Sequence, residues 1–364
     1  MSFENEGRNY KYEDILFIEN SGFIKIRSEI PLDSLIRKLD GNEYIVPRDS
    51  ANILDAIIQD NPNILEEMKK NNKNIYTIEL ITNGKIIYSQ YFSTLHFAAK
   101  YGANNILKYL IENEKENVNS QRDITKFTPL HLATIYKNYE SVKILLEYGA
   151  DPNIGDELEL TPLHYAAEYL PSHLLELMLK KGGDPNVKNI LGETPIFYAV
   201  RKDRMDNINV LISYGAKIDI KDNEGSTIIH EAAAWSSPST LEYLIKIIGS
   251  PNIKDKYNST PLHYVFAESD KENRKRKIEI LLKYGADPNI QSTDGMTPLH
   301  KAVKDCDIDA VKLLLKYNAN PNIKTIDGKL PIDFANNCKD EKIRNEIINY
   351  IFSFSHSSIP PGTT

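Results

Sequence analysis

At 364 residues the chain has room for two ordinary domains, or for one elongated array behind a smaller domain. Its 41% hydrophobic and 26% charged content is that of a soluble folded protein, and a net charge of −7 excludes wholesale attraction to phosphate backbones. No apolar run approaches the roughly 18–20 residues that span a bilayer, and Met1–Tyr10 lacks the basic-then-apolar layout of a secretory signal, so a cytoplasmic location, in its own or a host cell, is expected.

Residues 1–90 read as a small α+β domain of unassigned function. Short strands are predicted at Ile15–Ile18 and Phe23–Ile26, around Ser21-Gly22. Ser50–Lys70 reads as helix, broken at Asn61-Pro62. Ile75–Ile81 and Lys85–Tyr88 flank Asn83-Gly84, a strong hairpin signal, because both residues tolerate the left-handed backbone that a two-residue turn needs. The competing reading places a diverged capping repeat within Ser50–Lys70.

Beyond residue 90 the sequence repeats itself. Thr-Pro-Leu-His stands at Thr128–His131, Thr161–His164, Thr260–His263 and Thr297–His300. Degraded copies stand at Thr94–His96 (one residue short), Thr194–Phe197, Thr227–His230 and Leu330-Pro331. First residues at 128, 161, 194, 227, 260, 297 and 330 give steps of 33, 33, 33, 33, 37 and 33, too regular for chance. A second phrase follows at a fixed offset: Gly149–Asn153, Gly182–Asn186, Gly215–Asp219, Gly285–Asn289 and Asn318–Asn322, most often as Gly-Ala-Asp-Pro-Asn.

The chemistry of one unit explains the phrases. Thr128 can cap a helix, and Pro129 suits its first turn, where a missing N–H costs nothing. Leu130 and Ala133 share one face, and Val142, Leu145, Leu146 and Tyr148 recur with helical spacing after a break at Lys137–Tyr139. Gly149 supplies a left-handed helix end. Departures carry expectations too. Lys126, Glu159 and Asn258 replace a finger glycine, so those fingers should differ in shape. Ile228 replaces a helix-starting proline, and the sixth unit's four extra residues should sit in a loop over Ser269–Lys277. The last helix, through Ile351, reads as a cap, and the Ser/Pro-rich residues 353–364 as a disordered tail.

These two phrases resemble the ankyrin repeat over residues 91–352. The resemblance implies a mainly α solenoid of about eight helix-turn-helix units including caps, each closed by a finger loop, too small to fold alone. It also implies a face built from finger tips and the exposed side of the first helix, which contacts partners. Carried onto this chain, that face comprises Phe127, Ile135, Tyr136, Leu158, Leu160, Tyr169, Ile190, Leu191, Arg201, Lys202, Trp235, Tyr257 and Met296. The share of apolar and aromatic side chains is high for positions that should meet water, and Trp and Tyr are favoured interface anchors.

Chemistry beyond binding finds little support. Six of eight histidines (His96, His131, His164, His230, His263, His300) hold one repeat position, which calls for a structural role and not a metal site. The two cysteines, Cys306 and Cys338, are too far apart for a zinc motif or a secreted disulfide framework, and read as thiols of a reducing compartment. No phosphate loop or nucleophile elbow occurs, and no cofactor or catalytic residue is assigned. Arg274–Lys277 reads as a solvated loop between Glu272 and Glu279, with a nuclear-import signal as the alternative. The expectation is a monomeric scaffold or adaptor for a protein partner, with no nucleic acid or membrane. Abundant Lys, Asn and Ile hint at AT-rich coding and thus at a host-interacting factor of an intracellular bacterium or virus. The rival is an effector enzyme with an unrecognised N-terminal catalytic domain.

Overall fold

A computed structural model of the chain describes residues 25–27, 34–39, 42–82, 87–121 and 125–357. The strand expected at Ile15–Ile18, the turns at Ser21-Gly22 and Asn83-Gly84, and the tail after Ser357 lie outside these residues. Tertiary contacts divide the chain into two units, Met1–Asn189 and Ile190–Thr364.

The first unit opens on a five-stranded antiparallel sheet of order β1-β5-β4-β3-β2. Its strands are β1 (Lys25–Arg27), β2 (Ser34–Leu39), β3 (Asn42–Pro47), β4 (Thr77–Thr82) and β5 (Ile87–Ser93). The hairpin predicted around Asn83 is the β4–β5 pair, in register Thr77↔Ser93 through Ile81↔Ser89. Strands β2 and β3 had no sequence prediction. Between β3 and β4 run two helices, α1 (Arg48–Gln59) and α2 (Pro62–Lys70), separated where the sequence predicted. Asp60 ends α1 in a left-handed conformation (φ 48°), and the Asn61 side chain caps α2 by accepting from the Asn63 N–H at 3.2 Å.

This helix pair does not stand apart. Helices α1 and α2 pack on α3 (Thr94–Tyr101) and α4 (Asn104–Glu112), the first repeat. Asp60 Oδ1 accepts the N–H groups of Asn105 and Ile106 at 2.8 and 3.0 Å, so it caps a helix of the next pair. Glu114 accepts from Lys69 Nζ (2.6 Å), Tyr76 Oη (2.8 Å) and Tyr109 Oη (3.0 Å), clasping the two pairs together. Strand β5 runs directly into α3, so the β4–β5 hairpin precedes its helix as a finger precedes each later one. Ser93 is the N-cap of α3, which completes the shortened copy as Ser93-Thr94-Leu95-His96. Stacking then continues through α5 (Pro129–Ile135) and α6 (Tyr139–Glu147) to α7 (Pro162–Tyr169) and α8 (Ser172–Lys180).

The second unit contains α9 (Pro195–Arg201), α10 (Met205–Ser213), α11 (Ile228–Trp235), α12 (Pro238–Ile248), α13 (Pro261–Tyr264), α14 (Lys271–Lys283), α15 (Pro298–Lys304) and α16 (Ile308–Lys316). It closes with a 3-10 helix, Pro331–Asn337, and α17 (Glu341–Ser357). Ile228 starts α11 without proline, behind the Thr227 cap. The last helix extends beyond the predicted cap end at Ile351, taking residues 353–357 from the expected disordered tail.

The repeated histidine is a structural fastener. The Thr128 N–H donates to His131 Nδ1 at 3.0 Å, which leaves Nε2 as the protonated nitrogen, and Nε2–H donates to the Leu160 carbonyl of the next unit at 3.0 Å. His230, His263 and His300 reach Ser259, Met296 and Lys329 in the same way. Burial, opposed by the carbonyl contact, lowers the His131 pKa to about 3. The closing asparagine is a second fastener. Asn153 donates to the Gly182 carbonyl (2.9 Å) and accepts from the Asp184 N–H (2.7 Å), and Asn119, Asn252 and Asn289 do the same one repeat on.

Three expectations are corrected. The fingers at Lys126, Glu159 and Asn258 keep the left-handed turn of their glycine counterparts, with φ 57°, 58° and 56°, because the surrounding turn outweighs the strain on a Cβ. The extra residues of the sixth unit lengthen α14 to 13 residues instead of forming a loop. Finally, Cys306 and Cys338 form a disulfide with Cα atoms 5.6 Å apart. Their separation of 32 residues is close to one repeat, which brings corresponding parts of neighbouring units together.

Candidate protein-interaction face

Fingers are held tip to tip by backbone hydrogen bonds about one repeat apart. Glu157 N–H donates to Thr125 O (3.0 Å) in the first unit. In the second unit Asn223 donates to Leu191 (2.8 Å), Lys256 to Glu224 (2.8 Å) and Thr293 to Tyr257 (2.8 Å). Three of the turns are set by an aspartate: Asp156 Oδ1 accepts from the Leu158 and Leu160 N–H groups, Asp222 Oδ1 from those of Glu224 and Ser226, and Asp255 Oδ1 from those of Tyr257 and Ser259. Residues two after each aspartate are thereby aimed outward, and residues four after are aimed into the stack.

The candidate residues divide into buried and exposed ones. In the first unit Phe127 and Leu160 are buried, at 5% and 3% exposure, and leave the candidate surface. Phe127 packs against His131 and Tyr165, with ring centroids 5.5 and 6.2 Å away. Leu158 is exposed, and Ile135, Tyr136 and Tyr169 are half-buried at the ends of α5 and α7. Tyr136 lies 4.9 Å from Lys100 Nζ, which also faces Tyr101 at 5.0 Å, while Lys137 Nζ lies 5.7 Å from the Tyr169 ring. Tyr101, at the same repeat position as Tyr136 and Tyr169, extends this aromatic row and was missed in the sequence. Its shifted repeat copy hid the correspondence.

In the second unit Ile190, Leu191 and Tyr257 are exposed on fingers, Leu191 at 56%. Trp235 is 53% exposed at the end of α11, and Met296 is half-buried. Lys202 is exposed, but Arg201 is engaged: its guanidinium donates to Glu231 (2.8 Å) and Glu193 (2.6 Å). Burial disfavours its charge, yet the two carboxylates outweigh that and raise its pKa. Arg201 is a strut inside the unit and leaves the candidate surface.

The basic run Arg274–Lys277 is not a solvated loop. It lies within α14, where Lys277 is fully buried, donating to Glu268 Oε2 (3.0 Å) and the Ala233 carbonyl (3.2 Å). Arg274 is buried against Asp307 at 3.0 Å. Half of the run is therefore structural, which removes the contiguous basic patch that a nuclear-import signal needs. Among the described residues no group of three or more His, Cys, Asp or Glu side chains could hold a metal, and no helix is long and apolar enough to cross a membrane.

Comparison with known proteins places the repeats. The family model described as ankyrin repeats, in three copies, matches residues 53–156, 163–255 and 229–325, beginning inside α1. Alpha-latrotoxin-Lg1a of Latrodectus geometricus is 44% identical over 50 residues, which is 14% of this chain and only 4% of the toxin. The solved ankyrin repeat domain of Bcl-3, a member of the IkappaB protein family, is 21% identical, with a TM-score of 0.48 over 62% of this chain and 99% of that one. With repeat-family matches across more than half of its length, this chain belongs to the ankyrin-repeat family.

Proposed function

We propose that this chain is a protein-interaction adaptor that recruits a protein client through its finger tips and first-helix ends, and that it does not catalyse a reaction. The observation that carries this reading is the set of large apolar side chains left in water at those positions: Leu158 in the first unit, and Ile190, Leu191, Trp235 and Tyr257 in the second. Burying such side chains against a partner is favourable at about 25 cal/mol per Å² of apolar area, and none of them is needed to fill the stack. Within this reading the chain acts as a monomer without a cofactor, and the Cys306–Cys338 disulfide removes the free thiols that favoured a reducing, cytoplasmic location. The Lys-, Asn- and Ile-rich composition supports a host-interacting factor of an intracellular bacterium or virus. In this reading the two helices and strands β4 and β5, residues 48–93, serve as the starting unit of the array, which then begins before residue 90.

Affinity capture with mass-spectrometric identification, comparing the parent chain with Trp235→Ala and Tyr169→Ala, tests the proposal. Both variants should keep the parent's melting temperature and lose its partners. Recovery of the same partners at parental levels by both would refute the proposed face.

A further inference from the structure

The sixth unit departs from its neighbours in a way that opens a cleft. Helix α13 has only four residues and tightens into a 3-10 turn at Val265–Ala267. At the place where other first helices carry Ile135 or Arg201, this unit has Ala267. The next residue, Glu268, is drawn the other way, by Lys277 on its carboxylate and by Arg274 on its carbonyl. A cleft of about 510 Å³ remains on the finger side of the sixth and seventh units, with Tyr257, Phe266, Met296 and Lys301 among its walls.

The polar groups of this cleft are unequally satisfied. Asp255 accepts from the Tyr257 and Ser259 N–H groups and from Tyr264 Oη. Asp294 accepts from the Met296 N–H at 3.0 Å, and Asp305 faces the Arg274 guanidinium at 3.5 Å. Lys301 is half-buried, and no hydrogen bond or ion pair joins its ammonium to any described residue. Burial lowers its pKa, with Asp294, Asp305 and Asp255 opposing the shift and Lys304 adding to it, none of them hydrogen-bonded to the ammonium. The carboxylates thus have their donors, whereas the half-buried Lys301 ammonium in the wall has no hydrogen-bond acceptor among the described residues.

Resting on the adaptor reading, we infer that this cleft is a peptide subsite selective for an acidic residue beside an apolar one: a Glu or Asp carboxylate on Lys301 Nζ, with the neighbouring apolar side chain between Tyr257 and Met296. A carboxylate supplies the missing acceptor, and the two walls supply apolar contact.

The test is selection from a displayed library of random peptides on the full chain, followed by affinity measurement on synthetic copies of the winners. Enriched peptides should pair an acidic residue with an aromatic or aliphatic one. Replacing that Glu by Gln in the peptide should weaken binding to the unmodified protein at least about tenfold, the scale of one charge-assisted hydrogen bond. Lys301→Met should weaken the acidic peptide similarly and leave the Gln peptide unmoved, while Lys301→Arg retains the preference. Enrichment without an acidic preference, or affinity indifferent to both the peptide and the Lys301 changes, would overturn the subsite and leave the adaptor reading standing. Failure to enrich any peptide would overturn it as well. The capture experiment on Trp235 and Tyr169 then decides separately whether the adaptor reading survives.

Discussion

The second and sixth repeats begin and end alike yet are built differently in between. The second joins a seven-residue helix to a nine-residue one, with Leu130, Ala133, Val142 and Leu145 fully buried. The sixth shortens its first helix to four residues, lengthens its second to 13, and sets a Lys277–Glu268 ion pair where the other has Ser141 donating to Asn104. Both keep the Thr-His fastener and the asparagine clasp. The framework therefore prescribes the joints between repeats and leaves the span inside each one negotiable.

Four experiments would break or sharpen that contrast. The largest effect should come from Glu268→Ala, which strands a buried ammonium. Melting or denaturant curves should show a loss of about 3–5 kcal/mol, whereas Lys277→Met should be near neutral or stabilising. The counterpart in the second repeat, Leu145→Ala, should cost about 2–5 kcal/mol through a cavity. A Glu268 variant as stable as the parent would mean that the pair is not what holds the sixth repeat.

Next comes the C-terminal staple. Closing a loop of about 32 residues is worth about 3–4 kcal/mol in the chain-entropy account. Cys338→Ser, or reduction, should lower the stability of the last repeats by that order, and hydrogen exchange should show it there first. Unchanged protection in the reduced protein would argue against a cross-link.

The fasteners themselves predict a pH dependence common to both repeats. Burial lowers His131 to about 3 and His263 to about 4, from the ordinary value of 6.5. The unfolded chain therefore takes up protons first. Stability is intact above about pH 6.5 and falls with acidification by about 1.4 kcal/mol per pH unit per histidine, until the folded-state values are reached. His131→Gln should flatten the slope between pH 6.5 and 5, and an unaltered slope would rule out the neutral buried ring.

The smallest effect belongs to the fingers. Glu159→Gly and Lys126→Gly relieve a left-handed backbone and should each raise stability by about 1 kcal/mol. A loss would show that the side chain contributes more than the strain costs.

Much of this was legible beforehand because it is periodic. Thr128, Pro129 and Gly149 carry backbone chemistry that repeats, so the helix starts, the helix ends and the role of the histidines could be read from one unit. The parts that escaped depend on partners in another repeat. Leu160 reads as surface because nothing local says that the Asp156 turn aims its fourth residue inward, and Phe127 because its partner Tyr165 lies in the next repeat. Arg274 and Lys277 read as solvated because their partners Asp307 and Glu268 had no assigned place. The disulfide was overlooked although its spacing nearly equals the repeat. Strands β2 and β3 pair with each other, Ser34↔Pro47 through Leu39↔Asn42, so the signal passed over there was local, Asp40-Gly41 between two short apolar runs. Of the candidate face, Trp235, Tyr257, Ile190 and Leu191 are exposed, because finger tips and helix ends are the positions the stack leaves uncovered.

The asparagine clasp sets a rule for how such a chain can change length. Asn153 and Asn289 fix the distance from one closing turn to the next by gripping both a carbonyl and an N–H of their neighbour. A residue inserted there would break two bonds in each adjoining repeat. Extra residues are tolerated only in the stretch between one grip and the next, and that is where the sixth repeat carries its four. Evolution of this array should accordingly add or remove material within helix pairs, or whole repeats at a time, and leave the hinges between them at constant length.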